Sequence, residues 1–195
     1  MPPLRADQWG EPEYAAFGAL LNLPTDQVPR AGSGDPLDPL NFDIIGILAH
    51  HPEMARVFLR FNGFLLQRGE LPGRVRELVI LRVAHRHLSA FEWGQHVRMG
   101  AAEGVTEADV RALAAGNDGF GGTDRLALDA TDQLITNGRA DWPTWTALVH
   151  AFGERAAMEL IFIVGTYTLT AMAFGTWGLQ PQPGSAALPS EGEAV

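Results

Sequence analysis

A run of twenty residues without a single charge, LIFIVGTYTLTAMAFGTWGL at positions 160–179, constrains this chain more than any other segment. As a helix it is long enough to cross a bilayer, so it must end up in a membrane, a protein core or a subunit interface. Its composition argues against the first. Thr166, Thr168 and Thr170 fall within five positions, three glycines interrupt the run, Glu159 stands at its start, and no cluster of Lys or Arg flanks it. It reads as a helix that is apolar all round, buried in a core or between subunits. The expectation is a homo-oligomer with no membrane partner.

The rest of the chain carries helical periodicity, without sustained alternation of apolar and polar residues between turn signals. The fold class is therefore all-α. A first helix covers about Glu11 to Leu21, and the Pro-, Gly- and Asp-rich LPTDQVPRAGSGDPLDPL after it reads as a long surface loop. Helices then run through about 40–50 and from Pro52 to Gln67, with Pro52 suited to a first turn and Gly69 to a stop. RVRELVILRVAHRHL is a largely buried helix, followed by one from about Ala90 to Glu103 that ends at Gly104. TEAD opens a capped helix through Ala115, and further helices fit Thr123 to Thr136, Pro143 to Phe152 and Arg155 to Thr176. Three parts follow: an N-terminal helix and loop at 1–39, a helical domain at 40–179, and a tail at 180–195 without periodicity that is expected to be disordered.

Composition excludes several functions. With 195 residues, 46% of them hydrophobic, the chain suits one core. A formal charge of −9 makes nucleic acid an unexpected partner. The absence of cysteine removes disulfides, thiolate nucleophiles and Cys-ligated metals. The first residues lack the cationic start and apolar stretch of a secretory signal, so a cytoplasmic location is expected.

Chemistry concentrates in SAFEWGQH, residues 89–96, which holds a hydroxyl, a carboxylate and an imidazole. Ser89 and Glu92 have the spacing of a helix capping box, in which the serine oxygen accepts from the third amide and the glutamate reaches back. Ser89 and His96 are seven residues apart, roughly 10 Å along a helix axis, too far for His96 to serve Ser89 as a base. Glu92 and His96 are neighbours on one face, where a carboxylate favours imidazolium and the pair forms a tunable acid/base couple. Glu77 sits in the preceding apolar stretch among Arg74, Arg76 and Arg82, and reads either as an arginine-paired carboxylate or as a functional one. His85, His87, Glu92 and His96 are all acceptable metal ligands, but His85 and His87 fall on different helix faces, so no metal is expected. Phe91 and Trp93 read as packing residues.

Across residues 74–113 the sequence resembles the carboxymuconolactone decarboxylase family, which includes the alkylhydroperoxidase D-like proteins. The likeness rests on a Glu entering a buried helix, a gap, a residue-x-x-residue-x-x-x-His motif, a Gly-terminated helix and a short capped one. It implies an oligomeric, all-helical alkylhydroperoxidase D-like bundle. In the peroxidase branch the two variable positions are redox cysteines; here they are Ser89 and Glu92, so thiol peroxidase activity is not expected. The decarboxylase branch, which works without metal or organic cofactor, is similar in its Glu-Trp-x-x-His stretch. The resemblance implies a lyase-type acid/base enzyme for a small carboxylated lactone or enolisable acid, with His96 as principal acid/base, Glu92 tuning it, Glu77 relaying or orienting, and Ser89 a cap or substrate contact. Two alternatives stay open: an isomerase or dehydratase using the same site, and a non-catalytic helical oligomer that binds a ligand. Arg82 and Arg98 are candidates for anchoring a substrate carboxylate.

Overall fold

The apolar periodicity resolves into helices whose ends fall where the local signals put them. A computed structural model describes residues 1–189. Its α-helices are α1 (Glu11–Leu21), α2 (Asp43–Leu48), α3 (Pro52–Gln67), α4 (Gly73–Arg86), α5 (Ala90–Ala102), α6 (Glu107–Ala115), α7 (Gly122–Asn137), α8 (Trp142–Phe152) and α9 (Glu154–Trp177). No strand occurs among the described residues, so the fold is all-α. Pro52 and Pro143 take first-turn positions, where a missing amide costs nothing. TEAD forms its capping box: Thr106 Oγ1 accepts from the Asp109 amide at 3.2 Å, and the Asp109 carboxylate accepts from the Thr106 amide at 2.7 Å.

The chain divides into two compact units, Met1–Arg68 and the part from Gly69 onward. In the first, α1 packs on α3 at Gly63, where a Cβ would come within 2.9 Å of the Leu20 carbonyl. The loop after α1 is tied down by polar contacts. Asp38 accepts from the amides of Gly32, Gly34 and Leu40, while the Tyr14 hydroxyl accepts from the Ala31 amide.

In the second unit α4 is the hub, packed by α5, α6, α7 and α9. Every residue from Val75 to Ala84 is buried, including Arg76, Glu77 and Arg82. Charged groups this deep require partners. Arg82 makes a two-pronged contact with Asp132 at 3.0 and 2.7 Å and donates to the Leu113 carbonyl. The helix α9 lays Ala157, Leu160, Ile163, Val164, Tyr167, Ala171 and Phe174 inward at helical spacing. Its other face exposes Met158, Ile161, Phe162, Leu169 and Met172. The uncharged run is thus half buried. By length and composition alone α9 would suffice to cross a membrane.

Glu159 holds the entry to α4: one of its carboxylate oxygens accepts from the amides of Glu70 and Leu71, at 2.6 and 2.9 Å. Leu78, Leu81, Trp93, Leu113 and Leu128 form a core cluster on which Val97, Ala186 and Leu188 also pack. Residues 180–189 carry no helix or strand; the rest of the segment expected to be disordered, 190–195, lies outside the described residues.

Candidate active site

The turn between α4 and α5 decides what Glu92 can do. Helix α4 closes with a double carbonyl bridge, the Ser89 amide donating to the Ala84 carbonyl at 2.8 Å and the Leu88 amide to the His85 carbonyl at 3.2 Å. Leu88 sits between them with φ of 54°, the left-handed region in which glycine is usual. The Ser89 amide is therefore already taken, and Glu92 has nothing to cap. The capping-box expectation for Ser89 and Glu92 is corrected here: Ser89 is the N-cap residue, but its side chain makes no cap hydrogen bond. The Glu92 carboxylate turns instead to His96, one helical turn on, with Oε2 3.5 Å from His96 Nε2.

The opposite side of the imidazole meets α4. His96 Nδ1 donates to Glu77 Oε2 at 2.7 Å, and the other oxygen of Glu77 accepts from Arg76 Nε at 3.1 Å. Arg76 Nη2 in turn donates to Glu103 at 3.0 Å. The Glu103 carboxylate lies in the space a Cβ on Gly73 would occupy, so the glycine that opens α4 seats the end of the row. Five ionisable groups thus alternate in sign: Glu103, Arg76, Glu77, His96 and Glu92. Glu77 is fully buried, and Glu92 and His96 are 5% and 4% exposed. Tyr167 of α9 stands edge-on to the His96 ring, with centroids 4.9 Å apart.

This surrounding sets the charge on His96. Burial works against the imidazolium, but hydrogen bonding to Glu77 and Glu92 and the two carboxylate charges outweigh it, pushing the His96 pKa up to about 9. Burial likewise raises the Glu77 pKa, yet His96 and Arg76 together bring it below the ordinary carboxylate value. At neutral pH the His96 ring therefore carries both of its protons, with Nδ1–H held by Glu77. Its Nε2–H points at a contact too long to be a strong hydrogen bond.

Of the four residues singled out from sequence, Glu77, Glu92 and His96 are brought into one row, and Ser89 lies one turn before Glu92, 9% exposed. His85 packs on Trp93 with ring centroids 5.8 Å apart, and the His87 ring lies 3.3 Å from the Thr168 hydroxyl, so neither histidine belongs to this row. Phe91 and Trp93 pack as expected, Phe91 edge-on to Phe174. Arg76, Glu103 and Tyr167 were not singled out for the site. Only the neighbour relation of Arg76 and Glu77 gives a sequence signal; Glu103 and Tyr167 arrive through packing.

Residues 52–133, which contain Glu77, Ser89, Glu92 and His96, match the model of the carboxymuconolactone decarboxylase family. Over this region, somewhat under half of its length, the chain is similar to that family. No curated protein matches the chain.

Proposed function

We propose that the protein is a cofactor-free acid/base enzyme that moves protons on a small enolisable molecule, by decarboxylation or a related proton transfer. The observation that carries this reading is the imidazole held between two buried carboxylates, Glu77 on Nδ1 and Glu92 beside Nε2. Glu77 fixes the ring and its charge, leaving the Nε2 proton for a substrate oxygen or carbon. Glu92 is placed to take up a proton from the same substrate. Loss of CO2 or of an α-proton beside a carbonyl leaves an enolate-type charge, and an imidazolium in a site closed to water stabilises it strongly. The family's namesake reaction, which uses no metal or organic cofactor, supports the same chemistry. Since His96 and Glu92 are nearly closed off, admission of substrate requires side chains around Glu92 to move.

The test is product analysis by mass and proton NMR after incubating the protein with 4-carboxymuconolactone and related enolisable lactones and ketones in D2O. Loss of CO2, or deuterium incorporation above the buffer rate, supports the reading. No change in any member of the panel would defeat it in favour of a helical protein that only binds its ligand.

We further propose that the chain works in the cytoplasm as a homo-oligomer, with the exposed stripe Met158, Ile161, Phe162, Leu169 and Met172 on α9 covered by another copy. Light scattering at micromolar concentration is expected to give a multiple of the chain mass. A monomer would refute the assembly and reopen the membrane as the cover for α9.

A further inference from the structure

We infer that Arg76 and Glu103 are positioning residues for the proton transfer proposed above: Arg76 shares the charge of Glu77 and so sets how readily His96 releases its proton, and Glu103 holds Arg76 to that carboxylate. The inference rests on the acid/base reading of His96 and adds to it the residues that set the strength of the acid.

The geometry of the row carries the argument. Glu77 is fully buried, and its two oxygens are divided between two cations: Oε2 takes the His96 Nδ1 proton at 2.7 Å, and Oε1 accepts from Arg76 Nε at 3.1 Å. So deep a carboxylate is poorly screened, and each cation feels the other through it. Arg76 is itself buried, with Nε on Glu77 and Nη2 on Glu103 at 3.0 Å, so it acts on His96 by way of Glu77. Glu103, at the end of α5, folds its carboxylate into the space that a Cβ on Gly73 would fill. Among the described residues, the carboxylates in contact with the imidazole are Glu77 and Glu92. The charges on the surrounding helices are settled elsewhere. Arg74 pairs with Asp109 of α6 and Asp124 of α7. Of the two arginines that sequence suggested as carboxylate anchors, Arg82 is clamped on Asp132, and Arg98 is exposed, where it donates to Gln95 at 2.8 Å. From α9, Glu159 accepts from the Glu70 and Leu71 amides, and Tyr167 brings its ring to His96.

The alternation fixes the signs. Arg76 offsets part of the Glu77 charge, so the carboxylate holds the imidazolium less firmly than it would alone, and His96 is the stronger acid for it. Glu103 acts one step further back, where its charge tempers that of Arg76. Removal of the Arg76 charge should raise the pH at which His96 loses its proton, and displacement of Glu103 should lower it. A merely loosened site behaves differently. An imidazole freed from its carboxylates returns toward about 6.5 in both cases.

The measurement is an NMR titration of His96 in the full chain, labelled with carbon-13 in its histidine rings and assigned by the signal missing from His96→Gln. Wild type is expected to titrate near pH 9. Arg76→Gln should move the midpoint up by about one pH unit, and Arg76→Lys, which keeps the charge, should restore most of the difference. Gly73→Ala alters no charge but fills the seat of the Glu103 carboxylate, and should lower the midpoint by a few tenths of a pH unit, less because Glu103 is partly in water. In turnover, the alkaline limb of kcat/KM should move with the midpoint while KM stays close to wild type. A midpoint in Arg76→Gln that stays put or falls toward 6.5, or one that Arg76→Lys shares, would overturn the inference. Should Arg76→Gln fail to fold, Gly73→Ala decides alone, and an unmoved or raised midpoint there overturns it. The expected shifts in a protein that converts no enolisable compound would uphold the control of His96 and count against the acid/base reading alone. Turnover that depends on His96, with a midpoint indifferent to Arg76, would do the reverse.

Discussion

Glu77→Ala is expected to cost roughly 3–5 kcal/mol of folding stability, the range found when one partner of a buried ion pair is removed. The fully buried carboxylate contacts the His96 ring with one oxygen and Arg76 with the other. Its removal strands a buried imidazole and loosens a buried guanidinium at once, and leaves a cavity. Glu77→Gln keeps an acceptor for one of the two donors and should lose less. Urea denaturation of wild type and both variants measures this, and a loss below about 1 kcal/mol for Glu77→Ala would show that the row contributes little to stability. The same cluster fixes a pH dependence. The folded-state pKa of His96, about 9, lies above the ordinary value of 6.5, so its contribution is complete below 6.5 and disappears as pH rises through 9. The folded-state pKa of Glu77 lies below 4.5, so its contribution is complete above 4.5 and is lost at more acid pH. Wild-type stability should fall between pH 6.5 and 9, and Glu77→Ala should flatten that decline.

Helix ends were readable from the sequence because they rest on local chemistry. Pro52, the Thr106–Asp109 box and Gly104, whose φ is 86°, act within a turn of their own position. The juxtaposition of Glu77 and His96 was not readable from spacing, since nineteen residues separate them and only the packing of α5 against α4 brings them together. Resemblance to the family supplied that pairing. The failure of the Ser89–Glu92 cap is more instructive. The local rule is sound, but the Ser89 amide is claimed by Ala84, and Leu88 gives no glycine signal of such a closure. A propensity for one local bond lost to another that finishes the preceding helix. Glu92 was thereby directed to His96. The uncharged run of α9 was recognised as a helix, yet composition does not say that its two faces differ, one lining the core with Tyr167 and the other carrying Phe162 and Met172 to the surface.

His96→Gln is expected to lower turnover by about 10²- to 10⁴-fold, the usual contribution of a positioned general acid or base. Glutamine can still donate to Glu77, so the helical circular dichroism should persist, while no proton remains to give to a substrate. The loss should fall on kcat, with KM changed far less, because the proton moves only on the way to the transition state. Wild-type kcat/KM should decline above about pH 9, as His96 gives up its proton and the acid form is lost. That alkaline limb should be missing from whatever activity His96→Gln retains. A merely structural histidine would lower the amount of folded protein and leave the shape of the pH profile unchanged. A variant with wild-type kcat, or with the same alkaline limb, would remove His96 from the reaction. It would leave the row from Glu103 to Glu92 as a device for holding α4 against α5.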